Sequence, residues 1–224
     1  MKKHILCFGD SNTHGYCADP SDSAEPFDYE DTYSARFNEE ERWTTRLQAQ
    51  LGDQYLVIEE GLSGRTTVFD DPIGEGLCGL DYLGPCLKTH YPISLLIIML
   101  GTNDTKERFC ANAPTIGHGM ARLVEKAQSS SCWGGNEPKI LIIAPPPILE
   151  GILNIHESGT MGAGCVEKSR QLSKVYGNIA EQYQCHFLDA GTIGAHLNTI
   201  DFMHLTREGH ENLADQLANL IPSL

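Results

Sequence analysis

Ile5-Leu6-Cys7-Phe8-Gly9-Asp10-Ser11-Asn12 carries an unbroken apolar run that stops at a glycine, with a serine two residues later. Apolar residues without polar alternation read as a central parallel strand covered on both faces. A strand ending in a glycine turn places Ser11 at the carboxyl edge of a sheet, where open α/β folds build their sites. The same signature recurs along the chain. Strands are expected at residues 55–58, 95–100, 140–144 and 186–188. The strongest, 95–100, also ends in a glycine, Gly101, and Pro145 to Pro147 ends the fourth.

Helical periods lie between these runs. Trp43, Leu47 and Leu51 recur at i, i+4 and i+8 before Gly52. Leu80, Leu83 and Leu87 suggest a helix ending near His90 and Pro92, which Pro85 would kink unless it lies close to the start. Residues 115–128 and 165–183 hold helical stripes, and Thr206 is a natural N-cap for a last helix with Leu213, Leu217 and Leu220 on its core face. Five strands alternating with helices imply a parallel sheet with right-handed crossovers and helices on both faces. No repeat or linker interrupts the pattern, so residues 1–224 are read as one domain.

The chain has 41% hydrophobic and 21% charged residues, as ordinary globular proteins do. Its formal charge of -14 repels polyanions, so nucleic acid and anionic membrane surfaces are unsuited as partners, and a neutral or cationic small molecule fits better. The eight cysteines are scattered with no C-x-x-C spacing; Cys7 and Cys185 read as buried fillers beside strands. The apolar run after Lys2 and Lys3 is too short for a signal peptide. A reduced, cytoplasmic protein is expected. Residues 19–41 are strongly acidic, with Arg36 the single base among them. They read as a long surface excursion, either a solvated loop or a wall of the substrate pocket.

A serine hydroxyl needs an imidazole to take its proton and a third group to orient that imidazole. Asp201 and His204, three residues apart, can serve Ser11 in those roles, although a D-x-x-H pair taken alone is an ordinary structural feature. The tetrahedral intermediate needs fixed donors around its oxygen. Candidates are the main-chain N–H groups of Ser11 and Gly64 and the side-chain amide of Asn103, although taken alone Gly64 is an ordinary turn glycine and Asn103 an ordinary loop cap. Asp10 is expected to hydrogen-bond the turn backbone. There is no G-x-S-x-G elbow, no G-x-G-x-x-G and no P-loop, and the nine histidines show no H-x-H or H-E-x-x-H, so neither metal nor cofactor is expected.

These four blocks, Gly9-Asp10-Ser11, Gly64, Gly101-x-Asn103-Asp104 and Asp201-x-x-His204, resemble the marked positions of the GDSL, or SGNH, hydrolases. Residues 59–67 with Asp70-Asp71-Pro72, and residues 97–106, look like the small bacterial arylesterase and acyltransferase branch. The resemblance implies a flavodoxin-like three-layer α/β/α sandwich, a Ser11-His204-Asp201 triad, an oxyanion hole from Ser11, Gly64 and Asn103, and a homo-oligomer. It implies a serine esterase for short-chain carboxylic esters, with acyl transfer to alcohols as a second activity. A carbohydrate acetylesterase is the alternative within the hydrolases. A flavin- or nucleotide-binding module is the alternative from another class. Asn12 stands where the family name has leucine.

Overall fold

The structure is a computed structural model, described here for residues 2–24, 35–156 and 158–224. In chain order the elements are β1 (Lys3–Gly9), α1 (Ser11–His14), α2 (Trp43–Leu51), β2 (Tyr55–Gly61), α3 (Gly79–Thr89), β3 (Leu95–Met99), α4 (Ala113–Gln128), β4 (Ile140–Ala144), α5 (Ser158–Met161), α6 (Cys165–Gln182), β5 (His186–Asp189) and α7 (Arg207–Leu220).

All strand pairs are parallel, and the sheet order is β2-β1-β3-β4-β5. The chain steps from β1 to one side and then returns to the other, so the loops leaving β1 and β3 part at the carboxyl edge and open a crevice. Ser11 follows β1, Gly64 follows β2 and Asn103 follows β3, all at that edge.

Alternation along the strands builds both layers. Leu6, Phe8, Leu96, Ile98, Ile140 and Ile142 pack with residues of α3, α4 and α6 on one face. Ile5, Cys7, Leu95, Ile97, Leu141 and Ile143 meet Trp43 and Leu47 of α2 and Leu213 and Leu217 of α7 on the other. This is the expected three-layer α/β/α sandwich with a five-stranded parallel sheet. Among the described residues no helix is long and apolar enough to cross a membrane.

Some local expectations change. Pro85 lies inside α3 without ending it. Leu83, Cys86 and Leu87 are all buried there, and burying two leucines at roughly 1.5–3 kcal/mol each matches the roughly 3 kcal/mol an interior proline costs. Helix α4 begins at Ala113 rather than residue 115, because Asn112 caps it by accepting the Thr115 N–H. Cys7 is buried, but Cys185 is only half-buried.

Of the acidic excursion, residues 25–34 lie outside the described residues. Its return leg docks closely, with Ala35 and Phe37 buried. Arg36 Nε donates to the His14 carbonyl. Arg36, Arg42 and Thr44 all bond the Glu59 carboxylate on β2. That leg is therefore pinned to the short helix carrying Ser11 rather than solvated.

Candidate active site

Ser11 is the first residue of α1, a single turn closed by Gly15 in the left-handed conformation. Asp10 caps this turn, its Oδ1 accepting the Asn12 N–H at 3.0 Å. Burial pushes the Asp10 carboxyl up to about 6, although that bond and the nearby His204, Arg65 and Lys106 pull it back.

The chain leaving β5 passes through a loop ahead of α7, and α7 packs against α2. That loop brings His204 to the serine: His204 Nε2 lies 2.8 Å from Ser11 Oγ, and its Nδ1 lies 2.7 Å from Asp201 Oδ2. The second Asp201 oxygen accepts from Met203 N, His204 N and Asn198 Nδ2. Burial raises the Asp201 carboxyl, but the His204 ring and these donors outweigh it and hold the group at about 2. An ionised Asp201 takes the Nδ1–H, which leaves Nε2 as the acceptor for the serine proton. The Tyr16 ring covers the imidazole at a centroid distance of 4.4 Å.

His210, six residues on, contrasts with it. It is fully buried and accepts the Trp43 N–H at Nδ1. Burial, with Arg42 and Arg46 nearby, drives it down to about 3, so it stays neutral and structural.

Gly64 adopts φ +85, a conformation that disfavours any side chain. One residue on, the Arg65 carbonyl accepts Asn103 Nδ2 at 3.2 Å. This contact brings the Gly64 turn and the Asn103 loop together and leaves the amide's second hydrogen without a partner among the described residues. Ser11 N and Gly64 N likewise donate to no other main-chain carbonyl there.

Several residues that build this arrangement escape sequence reasoning. Arg65 is buried; its Nη1 donates to the carbonyls of Gly9 and Glu60, and its guanidinium lies 4.3 Å from the Phe8 ring centroid. Asp104 is fully buried and accepts the Thr67 N–H and hydroxyl, tying the loop after β3 to that after β2. Burial lifts its carboxyl to about 6 against those bonds. Asp71 meets Arg108 at 3.0 Å and Lys106 at 3.6 Å. An ionisable residue within a turn of small residues was the available signal for Arg65, and an acid directly after Asn103 was the signal for Asp104.

Two clusters among the described residues gather metal-ligand atoms within 4.8 Å, Glu60-Cys86-His90 and Asp70-Cys78-Asp81, and neither includes a residue of the Ser11 site. In the first, Glu60 is already bonded to His90 at 2.7 Å and to the Tyr82 hydroxyl. A cavity of about 390 Å³ lies at the opposite, amino edge of the sheet, lined by Lys3, Tyr55, Leu95 and Lys139 among others, away from Ser11.

A serine, an imidazole and a carboxylate in this order, with hydrogen-bond donors grouped beside the serine, have the arrangement of a serine hydrolase. The chain belongs to the GDSL-like lipase/acylhydrolase family, whose model matches residues 7–211. It is similar to an aryl esterase from M. smegmatis, with 38% identity, 99% of each chain covered and a TM-score of 0.87. It is also similar to a carbohydrate acetylesterase from Sinorhizobium meliloti, with 37% identity, 99% of each chain covered and a TM-score of 0.87. A member of the lipolytic G-D-S-L family from Veillonella parvula shares the fold at 15% identity, with 99% of this chain and 100% of that chain covered and a TM-score of 0.65. A comparison with curated proteins found no match. Family membership sets aside the flavin or nucleotide module.

Proposed function

We propose that this chain, as one catalytic domain, hydrolyses short-chain carboxylic esters through an acyl-enzyme on Ser11. The observation that carries this reading is the continuous relay from Ser11 Oγ through His204 to Asp201, at 2.8 and 2.7 Å.

Ser11 Oγ attacks the ester carbonyl while its proton passes to His204 Nε2, and Asp201 stabilises the resulting imidazolium at Nδ1. The carbonyl oxygen becomes an oxyanion held by Ser11 N–H, Gly64 N–H and Asn103 Nδ2. The intermediate collapses when the imidazolium returns the proton to the departing alkoxide or phenoxide. Water, deprotonated by His204, then attacks the acyl carbon; the bond to Ser11 Oγ breaks, the imidazolium returns its proton to Oγ, and the carboxylic acid leaves. Every proton is moved by a side chain of this protein. An alcohol that replaces water at the last step becomes acylated, which is the proposed second activity.

The likeness to the S. meliloti enzyme favours an acetylated carbohydrate as a second substrate class. The eight cysteines are unpaired and mostly buried, which supports a reducing cytoplasm as the compartment. A homo-oligomer is part of this proposal, and Leu149, Leu153 and Ile200 are exposed apolar side chains that such an interface would cover.

Turnover of p-nitrophenyl acetate, butyrate and octanoate, with and without added alcohol, tests this reading. The acetyl ester should be preferred, alcohol should yield a new ester, and Ser11→Ala should lower kcat by about 10⁴ or more. Wild-type turnover by a folded Ser11→Ala protein contradicts the mechanism.

A further inference from the structure

Asn12, the residue that replaces the leucine of the family name, is 2% exposed, and each of its polar groups has a partner. Its N–H donates to Asp10, and its carbonyl accepts Trp43 Nε1 at 3.1 Å. Its side chain reaches across 191 residues of sequence to donate from Nδ2 to the Met203 carbonyl at 3.1 Å, and its Oδ1 accepts the Leu205 N–H at 2.9 Å. Met203 and Leu205 are the two neighbours of His204 in the chain. One amide therefore grips the main chain on both sides of the base.

The loop has its own internal bonds. Asn198 donates to the His204 carbonyl from both N and Nδ2, and Asp201 accepts the His204 N–H. Those contacts fix the loop's shape, whereas Asn12 fixes where the loop sits relative to the nucleophile. Phe202 holds φ +65, a strained conformation for a residue with a side chain, which persists where surrounding bonds over-determine it. Because Asn12 follows Ser11 directly on α1, the turn that presents the nucleophile also locates its base.

We propose that Asn12 is a positioning residue that sets the distance and orientation of His204 toward Ser11. The proposal rests on reading His204 as the base. A leucine has the same branched outline but is larger and offers no hydrogen bond, and it leaves the Met203 carbonyl and the Leu205 N–H unpaired in a buried place. Misplacement of a reacting group by about 1 Å costs as much as 10²-fold in rate.

Asn12→Leu and Asn12→Asp test this in the full chain, with p-nitrophenyl acetate turnover, the rate of Ser11 labelling by a fluorophosphonate, and the melting temperature measured together. Asn12→Leu should lower kcat by up to about 10²-fold with KM nearly unchanged, and labelling should slow in parallel because it uses the same base. Asn12→Asp keeps the acceptor for Leu205 N and, when protonated, a donor for the Met203 carbonyl. Its kcat should fall between the other two and approach wild type, relative to wild type at the same pH, as the pH is lowered. If Asn12→Leu does not fold, Asn12→Asp decides through that pH dependence. A lower melting temperature with wild-type kcat and labelling rate, in whichever variant folds, overturns the positioning role. Loss of activity in Ser11→Ala alongside wild-type kinetics in both Asn12 variants removes only this proposal, whereas activity retained in Ser11→Ala removes the esterase reading itself.

Discussion

The two halves of the site are built in different ways. On the base side, side chains meet directly: Ser11, His204 and Asp201 bond one another, and Asn12 holds the arriving loop. On the donor side, main-chain groups are aimed by buried charges that touch no reacting atom. Arg65 holds the ends of β1 and β2, Asp104 holds Thr67, and the Arg65 carbonyl orients Asn103. In the proposed mechanism the base exchanges protons, and it sits on one loop with a carboxylate beside it. In that mechanism the donors hold still as charge develops, which their anchoring near the strand ends favours.

Asn103→Ala tests the donor half most severely. It should lower kcat by about 10² to 10³, the range for an oxyanion donor, with only a modest fall in melting temperature as the buried Arg65 carbonyl loses its partner. An unchanged kcat in steady-state assays removes Asn103 from the donor set.

A smaller effect is expected where the anchoring is indirect. Asp104→Asn cannot accept at both former oxygens, so kcat should drop several-fold, in line with the loss of a hydrogen bond worth about 1 kcal/mol. The same variant carries a signature in stability. Asp104 and Asp10 sit at about 6 in the folded protein against an ordinary 3.8. Between these values the unfolded chain has lost protons that the folded chain still holds, so stability falls as pH rises from about 4 to 6. Each group contributes at most about 3 kcal/mol to this slope. Asp201, held at about 2, acts oppositely: its contribution is present above about 4 and fades as pH falls toward 2. Melting temperature against pH should therefore be flatter between pH 4 and 6 for Asp104→Asn than for wild type. An identical slope contradicts a raised Asp104.

The strands were legible because continuous apolar runs are what a doubly covered parallel strand requires, and residues 5–8 and 95–100, each followed by a glycine, showed this directly. The spacing of Asp201 and His204 was legible because three residues suffice for a carboxylate to reach an imidazole. Asn12, Arg65 and Asp104 gave at most a faint local signal, and the partners that reveal the roles of Asn12 and Asp104 lie far away in sequence. Asn12 reads as a loop asparagine until Met203 and Leu205 are seen against it. The docking of Ala35 and Phe37 was hidden by the acidity of the surrounding excursion. Overall charge reports on solvent and partners, while the burial of Ala35 and Phe37 and the bonds of Arg36 decide where this segment lies.

The acyl-enzyme on Ser11 is the central claim. Rapid acid quench of the protein with p-nitrophenyl acetate, followed by peptide mass spectrometry, tests it directly. One acetyl group per chain is expected on the peptide that contains Ser11, with none in Ser11→Ala. An acetyl group on a different side chain, or equal labelling of Ser11→Ala, contradicts it.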